Sequence, residues 1–447
     1  MLNNRKIKLK IKEKEVIEKH ITTEFIRLDA FLKLCDAVQS GGHAKIVIQD
    51  GEIKVNGEIC EQRGKKLRVG DKVEFEHKIY EKPTMNIERA VIKNFRNIEN
   101  MEFEPSNGIN VIYGENGHGK TNIIESIWLF TGCNSFRTRK NTELINKKSE
   151  SSELFTEFNS NGRHQEAKLI IKEKKEAYLN GIKQISPRKF LGEFQAVVFS
   201  PSVLSVIRDG PSEKRKFLDI AISLIRPNYA ALLSKYNKTV IQRNSLLKQI
   251  GTEKKGEDLL FVFDEELARC GGRIIDYRLK YLDDLSNAAP KIYSEISNGR
   301  EIMNISYINS LKETGSNNVE WSEILYKYLS ENHEKDIIRQ ATSFGPHKDD
   351  LEIFLDEMNV RNYGSQGQQR SCALSLKIGE ATILNNISGE QPVALMDDVM
   401  SELDENRQKF LMKFFDGWQV FVTCCDPSHR KKIKSDKIFE ICDGRIV

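Results

Sequence analysis

No stretch of this sequence approaches the ~18 consecutive apolar residues needed to span a bilayer, and the first twenty residues, threaded with Lys and Glu, contain no apolar run. Neither export nor membrane insertion is expected. Proline is scarce, at 10 residues, and the 28 glycines follow no repeat; with 39% hydrophobic and 30% charged residues the chain is neither collagen-like nor disordered. Cysteine is scattered over eight positions with no CxxC pair, and the adjacent Cys424-Cys425 is poorly placed to ligate a metal. That usage fits a reducing cytoplasm. A strong excess of either charge is also lacking, with 69 Lys/Arg against 65 Asp/Glu. The small surplus is localised: residues 1–84 carry 18 basic and 14 acidic residues, whereas residues 85–447 carry 51 of each.

At 447 residues the chain exceeds what one hydrophobic core organises, so two or three domains are expected. The N-terminal segment reads as a compact α+β unit. Alternation of Ile7, Leu9 and Ile11 with lysines suggests a strand over 5–18, and Thr22 or Thr23 could cap a helix carrying Phe25, Ile26, Leu28, Phe31, Leu32 and Leu34. Ala44–Ile48 follows a Gly-Gly break; Ile53 and Val55 lead into an Asn56-Gly57 hairpin turn, and Val73 with Phe75 marks a last strand before Lys82-Pro83. From residue 86 the pattern changes to strand, strand, glycine loop, helix, with apolar strands at Ile109–Tyr113, Leu154–Phe158, Ala167–Ile171 and Ala196–Phe199. Residues 212–340 read as mostly helical, with two long apolar faces, one running from Tyr229 to Ile250 and the other from Leu260 to Leu285; two packed helices explain them better than a cofactor stripe does. Strands return after Phe344 and end in Val393–Met396 and Val420–Thr423.

The segment Gly114-Glu115-Asn116-Gly117-His118-Gly119-Lys120-Thr121 fits G-x-x-x-x-G-K-[ST] between a strand and a helix, the context in which that pattern has meaning. Glycines let backbone N–H groups turn inward on phosphates, Lys120 balances their charge, and Thr121 offers a hydroxyl to Mg2+. Such a loop needs an acidic partner at the end of a neighbouring buried strand. Val393-Ala-Leu-Met-Asp397-Asp398 supplies it, with Asp397 expected to orient the metal and Asp398, with Lys120, expected to serve catalysis, Asp398 by polarising the attacking water. ATP and Mg2+ are therefore the expected cofactors.

About 275 residues separate Lys120 from Asp397, so something is inserted between the motifs. Just upstream of the acidic strand, Tyr363-Gly-Ser365-Gln-Gly367-Gln368-Gln-Arg370 opens a helix, and Ser401-Glu-Leu-Asp404 follows the acidic pair. These resemble the signature motif and D-loop of ABC-type ATPases in the form carried by the RecF family. Asn94-Phe-Arg-Asn, Ser135-Phe-Arg-Thr, Phe199-Ser-Pro, Arg215-Lys-Phe-Leu-Asp, Ile241-Gln-Arg-Asn and Phe344-Gly-Pro-His-Lys-Asp-Asp extend the similarity over residues 87–447. Residues 20–76 separately resemble the small RNA-binding domain named after ribosomal small-subunit protein four, the alpha-L fold, through Arg27-Leu-Asp-Ala-Phe-Leu, Gly41-Gly-His-Ala-Lys, Val55-Asn-Gly and Arg63-Gly-Lys-Lys-Leu-Arg-Val-Gly-Asp.

The resemblance implies an α/β protein: an alpha-L module over 1–84, an ATPase head in two parts, 85–211 and 342–447, and a helical lobe over 212–341 inserted in the head. It implies an ATP-dependent homodimer in which Ser365, Gly367 and Gln368 reach the partner's nucleotide, slow DNA-stimulated ATP hydrolysis, and a cytoplasmic role in replication and recombinational repair. Double-stranded and gapped DNA, RecO, RecR and the loading of RecA follow from the same likeness. Arg137, Arg139 and Lys140, a basic turn near the phosphate loop, are the expected DNA contacts, and Arg27, Lys45, Arg63, Lys65, Lys66, Arg68 and Lys72 the expected RNA contacts. Two positions depart from the common ABC pattern, Asp398 where Glu is usual and Thr423 where a switch His is usual. The Q-loop ligand stays open between Gln195 and Ser200. The rival classes are a transporter ATPase, expected to carry its signature within roughly 130 residues of the loop, a chromosome-structural ATPase, expected to carry longer arms, and an RNA-binding translation-linked ATPase.

Overall fold

The computed structural model describes residues 15–18, 26–35, 38, 41–49, 51, 53–67, 71, 73–75, 78–81, 85–138, 140–311, 320–425 and 433–447. They divide into an N-terminal unit and a large unit that begins at Met85.

In the N-terminal unit, helices Leu28–Leu34 and Gly41–Gln49 bury Leu28, Leu32, Ala44 and Ile48 together with Ile53 and Val73. The Asn56-Gly57 pair joins strands Lys54–Val55 and Glu58–Ile59 with both residues at positive φ, 55° and 85°, the geometry of a two-residue hairpin turn. The expected strand at Ile7–Ile11 and the Thr22/Thr23 cap lie outside the described residues. The helix itself starts later than its apolar spacing suggests: Ile26–Arg27 is extended because it pairs with Lys66–Leu67, and Arg27 rather than a threonine precedes the first helical residue. A further strand, Lys78–Glu81, follows Val73–Phe75 and pairs with both it and Glu15–Glu18.

The large unit is built on a six-stranded sheet in the spatial order Ala196–Phe199, Val393–Met396, Val420–Cys424, Ile109–Tyr113, Lys437–Cys442, Arg445–Ile446. The first five strands run parallel, and the last turns back. Three of them are buried at every residue, so the sequence shows unbroken apolar runs instead of alternation. A second six-stranded sheet, containing Asn86–Phe95, Ile98–Phe103 and Ser152–Ser160, shares the same core.

The lobe has its own core. Its helices are Pro211–Ile225, Pro227–Glu253 of 27 residues and Leu260–Ser297 of 38 residues, crossed by Trp321–Glu331. The expected helical stretch is interrupted by strand Met303–Ile308, which pairs antiparallel with Asp350–Leu355. Two buried arginines pin the lobe together: Arg243 reaches Asp264 at 2.8 Å and Asp336 at 2.6 Å, and Arg278 reaches Asp219 at 2.9 Å and the Pro346 carbonyl at 2.6 Å. Where the 38-residue helix meets Trp321–Glu331, Gly271 and Gly272 let the two approach: a Cβ at Gly272 would lie 2.5 Å from the Ser322 nitrogen.

This contact sets two effects against each other. Helix propensity favours Ala over Gly by about 1 kcal/mol, whereas forcing atoms into a packed contact costs about 1–3 kcal/mol. The obstacle is backbone and cannot rotate away, so Gly272→Ala is expected to destabilise the chain by about 1–2 kcal/mol net. Urea unfolding of the variant checks it, and a midpoint above wild type would show that the crossing opens at little cost.

Candidate nucleotide site

Strand Ile109–Tyr113 delivers the glycine loop to the carboxyl edge of the parallel sheet, and helix Lys120–Trp128 leaves from it. Gly119, directly before the helix, holds φ 106°, a backbone setting that side chains rarely accept. Gly114 is required by space: a Cβ there would lie 2.3 Å from the Ile441 carbonyl oxygen of the neighbouring strand. Lys120 is 9% exposed, and its Nζ donates to the carbonyls of Gly114 at 2.7 Å and Glu115 at 2.8 Å, so the cation lies across the loop. Glu115, Asn116 and Gly117 form the exposed crest, and His118 is half-buried between Glu115 and Asp443.

Asp397 and Asp398 follow strand Val393–Met396 at the same edge. Thr121 Oγ1 donates to Asp397 Oδ1 at 2.8 Å. Burial pushes the Asp397 carboxyl above the usual carboxylate range, against hydrogen bonds from Thr121 and Thr423 that favour its charged form. Asp398 is exposed and sits at φ 52°, a left-handed conformation that Asp tolerates better than most side chains. Thr423 ties the pair together: its hydroxyl donates to Asp397 Oδ1 at 3.2 Å and accepts the Asp398 backbone N–H at 2.8 Å. The residue standing where a switch His is usual thus bridges the Asp397 carboxylate and the Asp398 backbone.

Several residues at this edge carry roles that the sequence reading did not assign. Asn97 accepts from Asn122 at 2.6 Å and donates to the Gly117 carbonyl at 3.2 Å, supporting the loop from outside. Glu125, fully buried on the helix behind Lys120, gathers Arg96, Ser135 and Arg137 around its carboxylate. The polar residues of the Asn94-Phe-Arg-Asn and Ser135-Phe-Arg stretches have no periodicity that names a partner. Gln195 begins strand Ala196–Phe199 at the end away from the phosphate loop, whereas Ser200 follows it where the Phe199 carbonyl meets the Asp397 N–H at 2.7 Å. Ser200 alone of the two Q-loop candidates therefore lies at the nucleotide edge.

Ser365 caps helix Gln366–Ser388 through a reciprocal arrangement with Gln368, and Gly367 lies in its first turn. Among the described residues, no hydrogen bond connects Ser365, Gly367 or Gln368 to the phosphate loop of the same chain. The segment 401–404 is fastened to this helix instead. Arg370 pairs with Glu402 at 2.7 Å, and Arg407, which also holds Asp404, donates to the Gly367 carbonyl at 3.1 Å and Ser371 Oγ at 2.9 Å.

Of the basic turn, Arg137 donates to Asn122 at 2.7 Å and Lys140 is exposed, while Arg139 lies outside the described residues. Arg137 opens onto a cleft of about 1360 Å³ whose wall includes Lys175, Arg188, Arg215, Lys216 and Lys238. Burial pulls both Lys175 and Arg215 below their usual ranges, against nearby carboxylates that favour their charged forms. In the N-terminal unit, Arg63 and Arg27 both pair with the buried Asp29, at 2.8 and 3.3 Å. Lys45 and Lys66 are exposed and Lys65 half-buried; Arg68 and Lys72 lie outside the described residues. No helix among the described residues is long and apolar enough to cross a membrane.

Comparison with known proteins agrees with this geometry. Residues 19–81 match the S4 domain family, and residues 86–444 match the family described as RecF/RecN/SMC N terminal domain. The DNA replication and repair protein RecF of Caldanaerobacter subterraneus subsp. tengcongensis is 40% identical over 374 residues, 81% of this chain and 100% of that protein. RecF of Clostridioides difficile is 37% identical over 81% of this chain and 98% of its own length. Solved structures of the recombination mediator protein RecF in the RecFOR pathway, one with ATPrS and one with ATP, superpose with TM-scores of 0.77 and 0.76 at 40% identity, covering 81% of this chain. The fold, the phosphate loop with its facing carboxylate and these likenesses agree: the chain belongs to the RecF family of DNA replication and repair proteins, with an ABC-type ATPase head and an S4 domain ahead of it.

Proposed function

We propose that this chain binds ATP with magnesium at the phosphate loop, hydrolyses it slowly, and closes as a homodimer on duplex DNA, gapped DNA in particular, during recombinational repair. The observation that carries the reading is the meeting of Lys120, Thr121 and Asp397 at one sheet edge, with Asp398 beside them. Thr121 and Asp397 present two oxygens 2.8 Å apart where burial already disfavours a bare carboxylate, a donor set that suits a hard divalent cation. Bound there, magnesium would neutralise phosphate charge. Lys120 holds the terminal phosphates, and Asp398, exposed next to that site, accepts the proton of the attacking water. Ser365 and Gly367 open a helix whose N-terminus favours anions, which suits contact with a partner's nucleotide.

The DNA reading is supported by the number of cations that line the cleft beside Arg137, a set suited to meeting phosphates without reading sequence. The pathway named for the solved relatives supports work with RecO and RecR, and the loading of RecA is proposed alongside it. The N-terminal unit is proposed to bind structured RNA through Lys45, Lys65 and Lys66, with Arg27 and Arg63 contributing less because Asp29 already takes part of their charge. The domain division expected from the sequence is retained as part of this proposal.

Lys120→Ala is expected to weaken ATP binding roughly 10- to 100-fold, as loss of charge-assisted hydrogen bonds to phosphate would. Asp398→Asn should keep ATP affinity but slow turnover roughly 100-fold. Titration with a labelled ATP analogue and steady-state phosphate release separate the two, and wild-type turnover in Asp398→Asn would assign the base elsewhere. In sedimentation with Mg-ATP, wild type should run as a dimer and Ser365→Arg as a monomer; dimers from both would remove Ser365 from the interface. Gel shifts with an RNA hairpin should weaken when Lys45, Lys65 and Lys66 are replaced together by Ala, while duplex DNA binding holds. An unchanged RNA shift would withdraw the module's proposed role.

A further inference from the structure

The Ser365 cap is held by a group from outside its own helix. Gln368 fills the third helical position, where its Oε1 accepts the Ser365 backbone N–H at 2.7 Å while its own backbone N–H donates to Ser365 Oγ at 3.3 Å. With a carboxylate at this position either oxygen would serve; an amide serves only one way round, because its nitrogen cannot accept. The orientation is fixed by Glu301, whose Oε1 accepts Gln368 Nε2 at 2.5 Å. An ionised carboxylate only accepts, so it admits the nitrogen and turns the amide oxygen toward Ser365. Glu301 is itself fixed: its Oε2 accepts the Tyr293 hydroxyl at 2.5 Å. Tyr293 is 1% exposed on the 38-residue helix, and burial together with Glu301 drives its phenol well above the usual range, so it stays a donor.

We propose that Glu301 is a positioning residue for nucleotide recognition across the dimer, locking the Gln368 amide so that the Ser365 hydroxyl, its oxygen already engaged by the Gln368 N–H, is free to donate outward to the partner's terminal phosphate. This rests on the reading of Ser365 as a trans contact. Tyr293, Glu301 and Gln368 form one chain of hydrogen bonds running from the lobe's longest helix to the anion-facing end of another. No contact of Glu301 with the phosphate loop is involved, so ATP binding by a monomer does not depend on it.

The test compares ATP affinity at protein concentrations too low for dimers with the ATP concentration giving half-maximal dimerisation. Glu301→Leu removes the acceptor and should raise the second value roughly tenfold, in line with loss of a hydrogen bond to a charged group, while leaving the first within about twofold. At saturating ATP kcat should return toward wild type, so that KM carries the defect. Glu301→Gln should stay near wild type, since its amide oxygen can accept from Gln368 and its nitrogen can donate to the Tyr293 oxygen. Gln368→Glu alone sets two carboxylates together and should weaken dimerisation as Glu301→Leu does. Combining Gln368→Glu with Glu301→Gln exchanges the two ends of the hydrogen bond and should restore dimerisation, a rescue that separates positioning from general damage and holds even if Glu301→Leu fails to fold. Wild-type dimerisation by Glu301→Leu and by Gln368→Glu, with Ser365→Arg monomeric, would overturn the role of Glu301 and leave the trans reading standing. Dimers from Ser365→Arg as well would overturn both.

Discussion

The hydrogen bond between Thr121 and Asp397 joins residues 276 positions apart, and the rest of the nucleotide edge depends on the constraint that creates it. Strands Ile109–Tyr113 and Val393–Met396 do not touch; Val420–Cys424 lies between them and pairs in parallel with each. Tyr113 stands opposite Cys424, and Met396 opposite Val422, so Gly114, Asp397 and Thr423 all emerge at one edge. A slip of one residue in either pairing would turn every side chain of the moved strand to the other face and break the arrangement. Because Val393–Met396 and Val420–Cys424 are buried along their whole length, and Ile109–Tyr113 at its three central residues, such a slip would also bring the flanking polar residues into the core. Registry is thus enforced by apolar packing, and the polar site inherits its precision from it.

This explains which parts were legible in the sequence. Ile109–Tyr113, Ala196–Phe199 and Val393–Met396 coincide with the apolar runs that named them, since a strand buried on both faces needs no alternation. The strand Met303–Ile308 was missed because it is short, flanked by helices, and completed by a partner more than forty residues on. Thr121, Lys120 and Asp397 could be named because spacing fixes their chemistry. Asn97, Glu125 and Thr423 could not be given partners, because a polar residue carries no sign in sequence of whom it will meet. Gln195 and Ser200 show the same limit: they are five residues apart, and only the direction of the strand tells which lies at the phosphate-loop edge.

The lobe makes different use of polar residues. Arg243 and Asp219 come from stretches that resemble the family, yet they pair with Asp264, Asp336 and Arg278 inside the lobe, where ion pairs recover their desolvation cost only with good geometry. Their role is to fix which helices lie together. Tyr236 and His347, 2.7 Å apart beneath Gly345, belong to the same scaffold, and burial lowers the imidazole to about 4, so it is neutral at physiological pH. Motif-like sequence is therefore not by itself a mark of ligand contact: the Arg215, Ile241 and Phe344 stretches build the frame, and the Asn94, Ser135 and Phe199 stretches lie at the phosphate-loop edge.

The 38-residue helix, about 57 Å long at 1.5 Å per residue, has its first turns clamped through Asp264 and its last turns tied through Tyr293. Mechanically it is a rod held at both ends, for which each degree of tilt about one end is about 1 Å of travel at the other. Pro290 lacks the N–H that would bond back four residues, so the rod has a compliant joint just before Tyr293. Strain entering along the lobe would then be taken up within one turn of Tyr293, the residue whose hydroxyl fixes Glu301.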